Sequence, residues 1–289
     1  MLTADFDIYK DLLKTESGII ITPDKAYLLD SRLTPVARRW GHEDLDTMAA
    51  ALRSAPDKKL VKEIVDAMTT NETSFFRDTR PFNLFKHAVL PYITQQRQNT
   101  RRLKIWCAAC SSGQEPYSLS MILKEEAEKH GAFQTDILGT DISEDILEQA
   151  RTAIYSQFEV QRGLPIQLLM KYFEQTDKKW QLKNDIRKMV RYRYFNLLDS
   201  MTMLGTFDII FCRNVLIYFD EATKRDILGR MSKCLAPDGV LYLGGAETVL
   251  GVTDAFKPIT GVRGLYAHAD SEIALTVSEQ ADAKSAFMP

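Results

Sequence analysis

The sequence predicts an α/β fold with a mainly parallel sheet, preceded by an all-helical domain and interrupted by a small antiparallel β-subdomain. Three observations carry this expectation. Short apolar runs near residues 103, 136, 191, 207 and 240 alternate with stretches of helical periodicity. The first stretch, to about Asp66, shows helical spacing only. Between Phe173 and Phe195, apolar and polar residues alternate around a polar bend, Lys178 to Lys188, as in an antiparallel excursion followed by a return strand.

Composition narrows the function. The chain has 289 residues, 45% of them apolar, enough for one large or two smaller cores. Its 37 basic and 39 acidic residues nearly cancel, so no whole-chain field draws nucleic acid. No apolar run is long enough to span a membrane. The N-terminus, MLTADFDIYK, is acidic and lacks the basic-then-apolar order of a signal peptide, so a cytoplasmic location is expected. Four cysteines in such a chain read as thiols.

In order along the chain, Phe6, Tyr9, Leu12 and Leu13 stand at helical spacing. Thr22 followed by Pro23 signals the start of a second helix, about 23–40, with Ala26, Leu29, Leu33, Val36 and Trp40 as its apolar stripe. Lys25, Arg32 and Arg39 recur every seven residues along one edge of that stripe, and Arg38 adds charge. Such a ridge is either a solvated helix edge or a dock for an acidic partner. Pro35 falls inside it and should bend or split it. Leu45 to Ala51 and Leu60 to Thr69 form two more helices. Asn71 to Arg77, NETSFFR, packs an amide, hydroxyls, aromatics and a guanidinium into seven residues. Pattern alone leaves it as either a ligand-contacting segment or a helix cap with two core phenylalanines. Phe82, Phe85, Val89 and Leu90 suit a helix that ends before Pro91. These readings divide the chain into a helical domain over 1–90 that also begins the ligand site, a linker over 91–101, an α/β domain over 102–269 with the β-subdomain at about 172–195, and a mobile tail over 270–289.

The chemistry centres on Arg102 to Met121, RLKIWCAACSSGQEPYSLSM. A strand, a loop of small residues and a helix start with Pro116 in its first turn are how a nucleotide-type cofactor is held, although the loop lacks the full G-x-G-x-x-G pattern and by itself also reads as an ordinary βα turn. Asp141 ends the second strand, where a carboxylate can accept hydrogen bonds from ribose hydroxyls; Ser143 competes with it to cap the next helix. The strand FDIIF, Phe207 to Phe211, delivers Asn214 and Tyr218 to the carboxyl edge of the sheet, where ligands bind. The glycine-poor loop and the acid Glu115 beside it suit S-adenosylmethionine, a sulfonium cation, better than a dinucleotide, whose pyrophosphate a carboxylate repels. Cys107 and Cys110 have C-x-x-C spacing, but no second pair follows at zinc spacing and the four histidines are scattered, so no metal site is expected.

Taken together, NETSFFR, WCAACSSGQEPYSLSM, GTDIS, FNLLD and FCRNVLIYFD resemble the CheR family, the S-adenosylmethionine-dependent methyltransferases that esterify glutamate side chains on bacterial chemoreceptors. The resemblance runs from the first helix to about Ala267. It implies a Rossmann-like class I methyltransferase sheet, with S-adenosylmethionine as cofactor and S-adenosylhomocysteine as product. It implies cofactor contacts at Asn71, Thr73, Arg77, Glu115, Asp141, Asn196, Leu197, Asn214 and Val215. Arg77 and Tyr218 match residues that face the target glutamate, and Lys25, Arg32, Arg38 and Arg39 match a receptor-docking helix. The partner is then the cytoplasmic signalling domain of methyl-accepting chemoreceptors, with no nucleic acid, no membrane insertion and a monomer as the default. Tyr172 to Val190 is shorter than in members that grip a receptor's peptide tether, which favours a tether-independent enzyme. Two other readings stay open from sequence: a methyltransferase of RNA or a small molecule, and a sensor that binds the cofactor without turnover.

Overall fold

The computed structural model describes residues 3–131 and 133–275. Of the tail expected over 270–289, residues 276–289 lie outside these. The chain forms two compact units, one of residues up to Thr70 together with Tyr218–Lys224, the other of Asn71–Ile217 and Arg225 onward.

The first unit is helical: α1 (Thr3–Ser17), α2 (Ala26–Arg39), α3 (Leu45–Ser54) and α4 (Lys58–Met68). Asp44 and Thr47 form a reciprocal capping box on α3, and Asp57 caps α4 through the Lys59 and Leu60 N–H groups. Tyr9, Leu13, Leu29, Leu33, Val36, Met48 and Ile64 are fully buried, the core that the helical spacing requires. Pro23 opens a 3-10 turn, Pro23–Lys25, ahead of α2. Pro35 does not split the helix; α2 runs through it. The basic ridge is also less free than its spacing implies. Arg32 Nη1 donates to the carbonyls of Met68 (2.9 Å) and Thr69 (3.0 Å), closing the exposed carbonyl end of α4. Glu63 accepts from Arg39 Nε and Trp40 Nε1, each at 2.6 Å. The Trp40 indole, then Arg39, hold the Glu63 carboxyl below its ordinary range. Lys25 and Arg38 lie outside the buried stripe of α2.

The second unit is built on a seven-stranded sheet. Its strands are β1 (Arg102–Ala108), β2 (Gln134–Asp141), β6 (Val190–Tyr194), β7 (Phe207–Cys212), β8 (Leu235–Leu243), β9 (Phe256–Pro258) and β10 (Leu265–His268), in the order β6-β2-β1-β7-β8-β10-β9. The five strands from β6 to β8 are parallel, and β10 and β9 close one edge antiparallel. β7 is buried along its whole length, as a central parallel strand must be. A separate three-stranded antiparallel sheet is formed by β3 (Ile154–Ser156), β5 (Lys179–Leu182) and β4 (Phe173–Thr176), with β5 in the middle. The subdomain expected at 172–195 is therefore drawn differently. It recruits Ile154–Ser156, and residues 190–194 leave it to pair parallel with β2, Leu138 opposite Arg191. Val190 is buried in the main core, and Arg191 grips Asp136 on the neighbouring strand at 2.7 and 2.9 Å.

The boundary expected near residue 90 falls instead after Thr70. Phe75, Phe76, Phe82 and Phe85, with the short helix α5 (Arg80–Leu84), pack in the same core as Ile105, Phe211 and Tyr242. The helix expected to stop before Pro91 continues through a π-helical turn, Phe85–Val89, into α6 (Leu90–Gln96). Pro91 sits in the first turn of α6, where its missing N–H is tolerated. The supposed linker is anchored as well. Arg97 donates to Asp238 in fork geometry (2.6 and 2.5 Å) and to Asp208 (2.7 Å), and Asp208 also accepts from the Lys104 N–H. Among the described residues no helix is long and apolar enough to cross a membrane.

Candidate active site

The loop after β1 is shaped by backbone that few residues adopt. Ala109, Ser111 and Gly113 all have positive φ, at 55°, 51° and 91°. A Cβ at Gly113 would lie 2.6 Å from the Tyr192 hydroxyl, so glycine is demanded there by packing as well as by φ. Helix α7 (Gln114–Glu125) starts immediately afterwards. Its Ser118 Oγ accepts from the Phe76 N–H at 3.0 Å, and Ser111 Oγ donates to the Asn71 carbonyl at 2.8 Å. NETSFFR is thereby drawn onto the loop. Phe75 and Phe76 are core residues, while Thr73 and Arg77 stay half-buried.

Asp141 holds the loop to the end of β2. Its Oδ2 accepts from the Ser111 N–H (2.8 Å) and its Oδ1 from the Ser143 N–H (3.1 Å). Ser143 occupies the N-cap position of α8 (Glu144–Thr152) without a side-chain cap bond. Each Asp141 oxygen keeps acceptor capacity for a ribose hydroxyl. Burial pushes the Asp141 carboxyl up against these hydrogen bonds. Asn196 and Leu197 are brought alongside, because the Phe195 N–H donates to the Asp141 carbonyl at 2.9 Å. Asn196 Oδ1 accepts from the Leu198 N–H, which turns the chain.

Two further residues organise the site, and reasoning from sequence assigned neither a role. Arg213, its side chain 2% exposed, donates to Glu115 Oε2 (2.7 Å), Asp78 Oδ2 (2.8 Å) and the Arg77 carbonyl (3.0 Å), against the face of the Phe82 ring. It joins the NETSFFR segment to the start of α7. Burial pushes the Glu115 carboxyl up, and Arg213 pulls it back. Glu247 accepts from the N–H groups of Asn214 (2.9 Å), Val215 (2.9 Å), Leu216 (2.7 Å) and Gly244 (2.6 Å). It ties the segment after β7, where Asn214 has φ 59°, to the end of β8. The available signals were an Arg and a Glu placed just after apolar strands, where a buried charge must find partners.

Within the second unit, then, Ser111 joins Asn71 to Asp141, Arg213 joins Arg77 to Glu115, Asn196 follows the Phe195 that bonds Asp141, and Glu247 holds Asn214 and Val215. Tyr218 ends a 3-10 turn, Leu216–Tyr218, and groups with the first unit, where its carbonyl accepts from the Ile20 N–H at 2.9 Å. The cysteines are free and buried, and burial pushes the Cys107 and Cys110 thiols up, away from thiolate chemistry. Among the described residues no group of His, Cys, Asp and Glu is placed to hold a metal ion.

The donor set fits a cation. Two largely buried carboxylates, Glu115 and Asp141, flank the loop, and Arg213 is already neutralised by Glu115 and Asp78. A pyrophosphate would meet acids there, whereas an adenosyl sulfonium would meet counter-charge and a ribose acceptor. Parallel sheet, strained loop and paired acids define an S-adenosylmethionine-dependent methyltransferase. Residues 4–69 match the CheR methyltransferase all-alpha domain and residues 71–265 the CheR methyltransferase SAM binding domain, and the chain belongs to that family. It is 40% identical over 269 residues to chemotaxis protein methyltransferase Cher2 of Pseudomonas putida, covering 92% of this chain and 98% of that protein. It is likewise 40% identical over 271 residues to chemotaxis protein methyltransferase 1 of Pseudomonas aeruginosa, with the same coverage. A chemotaxis protein methyltransferase of Vibrio parahaemolyticus is 39% identical over 87% of this chain and 92% of its own length.

A pH dependence follows from Glu115. Its ionised form attracts a cationic ligand and its protonated form does not, so affinity for S-adenosylmethionine should be high above its pKa and fall below it. Because burial raises that pKa, the fall should begin above the ordinary glutamate range. Calorimetric titration across pH checks this, and Glu115→Gln should bind weakly with the dependence flattened.

Proposed function

We propose that this enzyme transfers a methyl group from S-adenosylmethionine to glutamate side-chain carboxylates of bacterial chemoreceptors, forming the methyl esters that reset signalling during chemotaxis. The observation that carries this reading is the match to both family domains in order, together with the acidic, loop-bound cofactor edge. When bound, the cofactor supplies a methyl group activated on sulfonium sulfur. The protein's part is alignment. An acceptor carboxylate is ionised at neutral pH, with a reference pKa of about 4.3, so no general base is needed. Positioning of this kind contributes roughly 7–11 kcal/mol in favourable cases.

Arg77 orients the acceptor by charge-assisted hydrogen bonds, and Tyr218 is assigned a part in turnover from the family motif. Arg77 Nη1 also donates to the Glu72 carbonyl at 2.6 Å, which keeps the guanidinium from gripping the nucleophile too tightly. Asn71, Thr73, Asn196, Leu197, Asn214 and Val215 complete the cofactor's contacts. Docking on the receptor's cytoplasmic domain falls chiefly to Lys25 and Arg38, since Arg32 and Arg39 are engaged by α4. The strands of the small sheet are only three or four residues long, which supports action without a peptide tether.

Base-labile methanol release from receptor cytoplasmic fragments after incubation with labelled cofactor tests the activity. Arg77→Ala and Tyr218→Phe should each lower turnover by roughly 10²-fold, the scale of losing one positioned donor, while melting like the wild type. Wild-type turnover in both would overturn their assignment. Methyl transfer to RNA, or cofactor binding with no ester formed, would favour the other readings.

A further inference from the structure

We infer that Tyr155, on the edge strand β3 of the small sheet, is a positioning residue for the cofactor: its hydroxyl sets the Ser112–Gly113 peptide of the loop after β1. The inference rests on that loop being the one that holds S-adenosylmethionine, as above. Tyr155 is fully buried, and its hydroxyl donates to the Ser112 carbonyl at 2.8 Å across 43 positions of sequence. Burial pushes the phenol up, so it stays protonated and remains a donor.

The loop needs an outside hold at this point. Asp141 and Asn71 fix Ser111, but their bonds stop one residue short of the next peptide. There the Gly113 N–H donates to the Cys110 carbonyl at 3.1 Å, and the Ser112 carbonyl points the other way, to Tyr155. A trans peptide carries its C=O and N–H on opposite sides, so the two bonds together define one orientation. Rotating that peptide changes chiefly ψ of Ser112 and φ of Gly113, and glycine accepts the new φ at little cost. The tyrosine is what opposes the flip. Without its hydroxyl, the carbonyl of the buried Ser112 has lost its partner in the native orientation.

Tyr155 is itself aimed by packing. Its ring meets Phe75 of NETSFFR edge-on at 5.0 Å and Phe173 of β4 at 6.4 Å, and Phe75 meets Phe173 at 5.6 Å. Gly163 closes against the same segment, since a Cβ there would lie 2.2 Å from the Phe75 carbonyl. The hydroxyl therefore sits on a fixed ring. The cofactor meets a loop already in its binding shape, whereas a flipped loop must first revert, which lowers apparent affinity by the fraction out of place.

The test uses the full chain. Tyr155→Phe keeps the ring and its packing and removes only the hydroxyl. By calorimetric titration its Kd for S-adenosylmethionine should rise about fivefold, the scale of one neutral hydrogen bond. In methylation of receptor cytoplasmic fragments the loss should fall on the cofactor's KM and not on kcat. Amide exchange over residues 110–114 of the cofactor-free protein should quicken. Trp180→Leu, opposite Tyr155 in the pairing of β3 with β5, supplies the comparison. It should lower the melting temperature while leaving the Kd and the exchange over 110–114 as in the wild type. Wild-type affinity in Tyr155→Phe, or an equal loss of affinity in both variants, would overturn the assignment. Wild-type enzyme that binds no S-adenosylmethionine would instead defeat the functional reading itself, and is seen before any variant is made.

Discussion

Glu247→Ala is expected to destabilise the second unit by about 3 kcal/mol and to weaken S-adenosylmethionine binding at least roughly tenfold. One carboxylate accepts from four backbone N–H groups, those of Asn214, Val215, Leu216 and Gly244. Removing it leaves buried donors unpaired and frees the segment that presents Asn214 and Val215. Glu247→Gln should fall between, since one of its two terminal groups is a donor facing donors. Gly244→Ala approaches the same clamp from the other side, because its Cβ would lie 2.7 Å from Glu247 Oε2 and 2.9 Å from Asn214 Nδ2. Thermal melting and calorimetric titration measure the two effects. Wild-type affinity in a folded Glu247→Ala protein would mean that the segment holds its own shape.

Arg213→Ala should be the more severe of the two, costing about 3–5 kcal/mol, the scale of removing one partner from a buried ion pair. It strands Glu115 and releases Asp78 and the Arg77 carbonyl together. Turnover should fall by roughly 10²-fold or more, since Glu115 and the Arg77 segment, which we propose contact cofactor and acceptor, lose their common support. Arg213→Lys preserves charge but not the fork, so it should recover part of the stability and little of the activity. Chemical denaturation and single-turnover methylation separate these quantities. Near-normal turnover in Arg213→Lys would show that charge alone suffices.

Much of the molecule was legible because its signals are local. The apolar runs placed β1, β2, β6, β7 and β8, and helical spacing placed α2, α3 and α4, since alternation and 3.6-residue repeats report which face is buried. The small-residue loop after β1 and the acid ending β2 stood out for the same reason. Misreadings arose where local pattern has two tertiary outcomes. Phe75 and Phe76 read as core residues and Phe82 to Leu90 as a helix, but neither pattern says which core they enter; Phe75 and Phe85 enter the sheet's core. The seven-residue spacing of Lys25, Arg32 and Arg39 reads as a solvent-facing ridge, yet the carbonyl end of α4 captures Arg32 and Glu63 captures Arg39.

By itself, then, the amino-acid order determined the α/β class, the strand positions, the cofactor loop and the family, all carried by short-range patterning and contiguous motifs. Tertiary structure alone decided where the units divide, that Ile154–Ser156 joins the small sheet, and that Arg213 and Glu247 hold the site together. The physical reason is separation along the chain. Arg213 meets Glu115 across 98 positions and Glu247 meets Asn214 across 33, and a buried charge's choice among distant partners is set by the packing that brings them within reach.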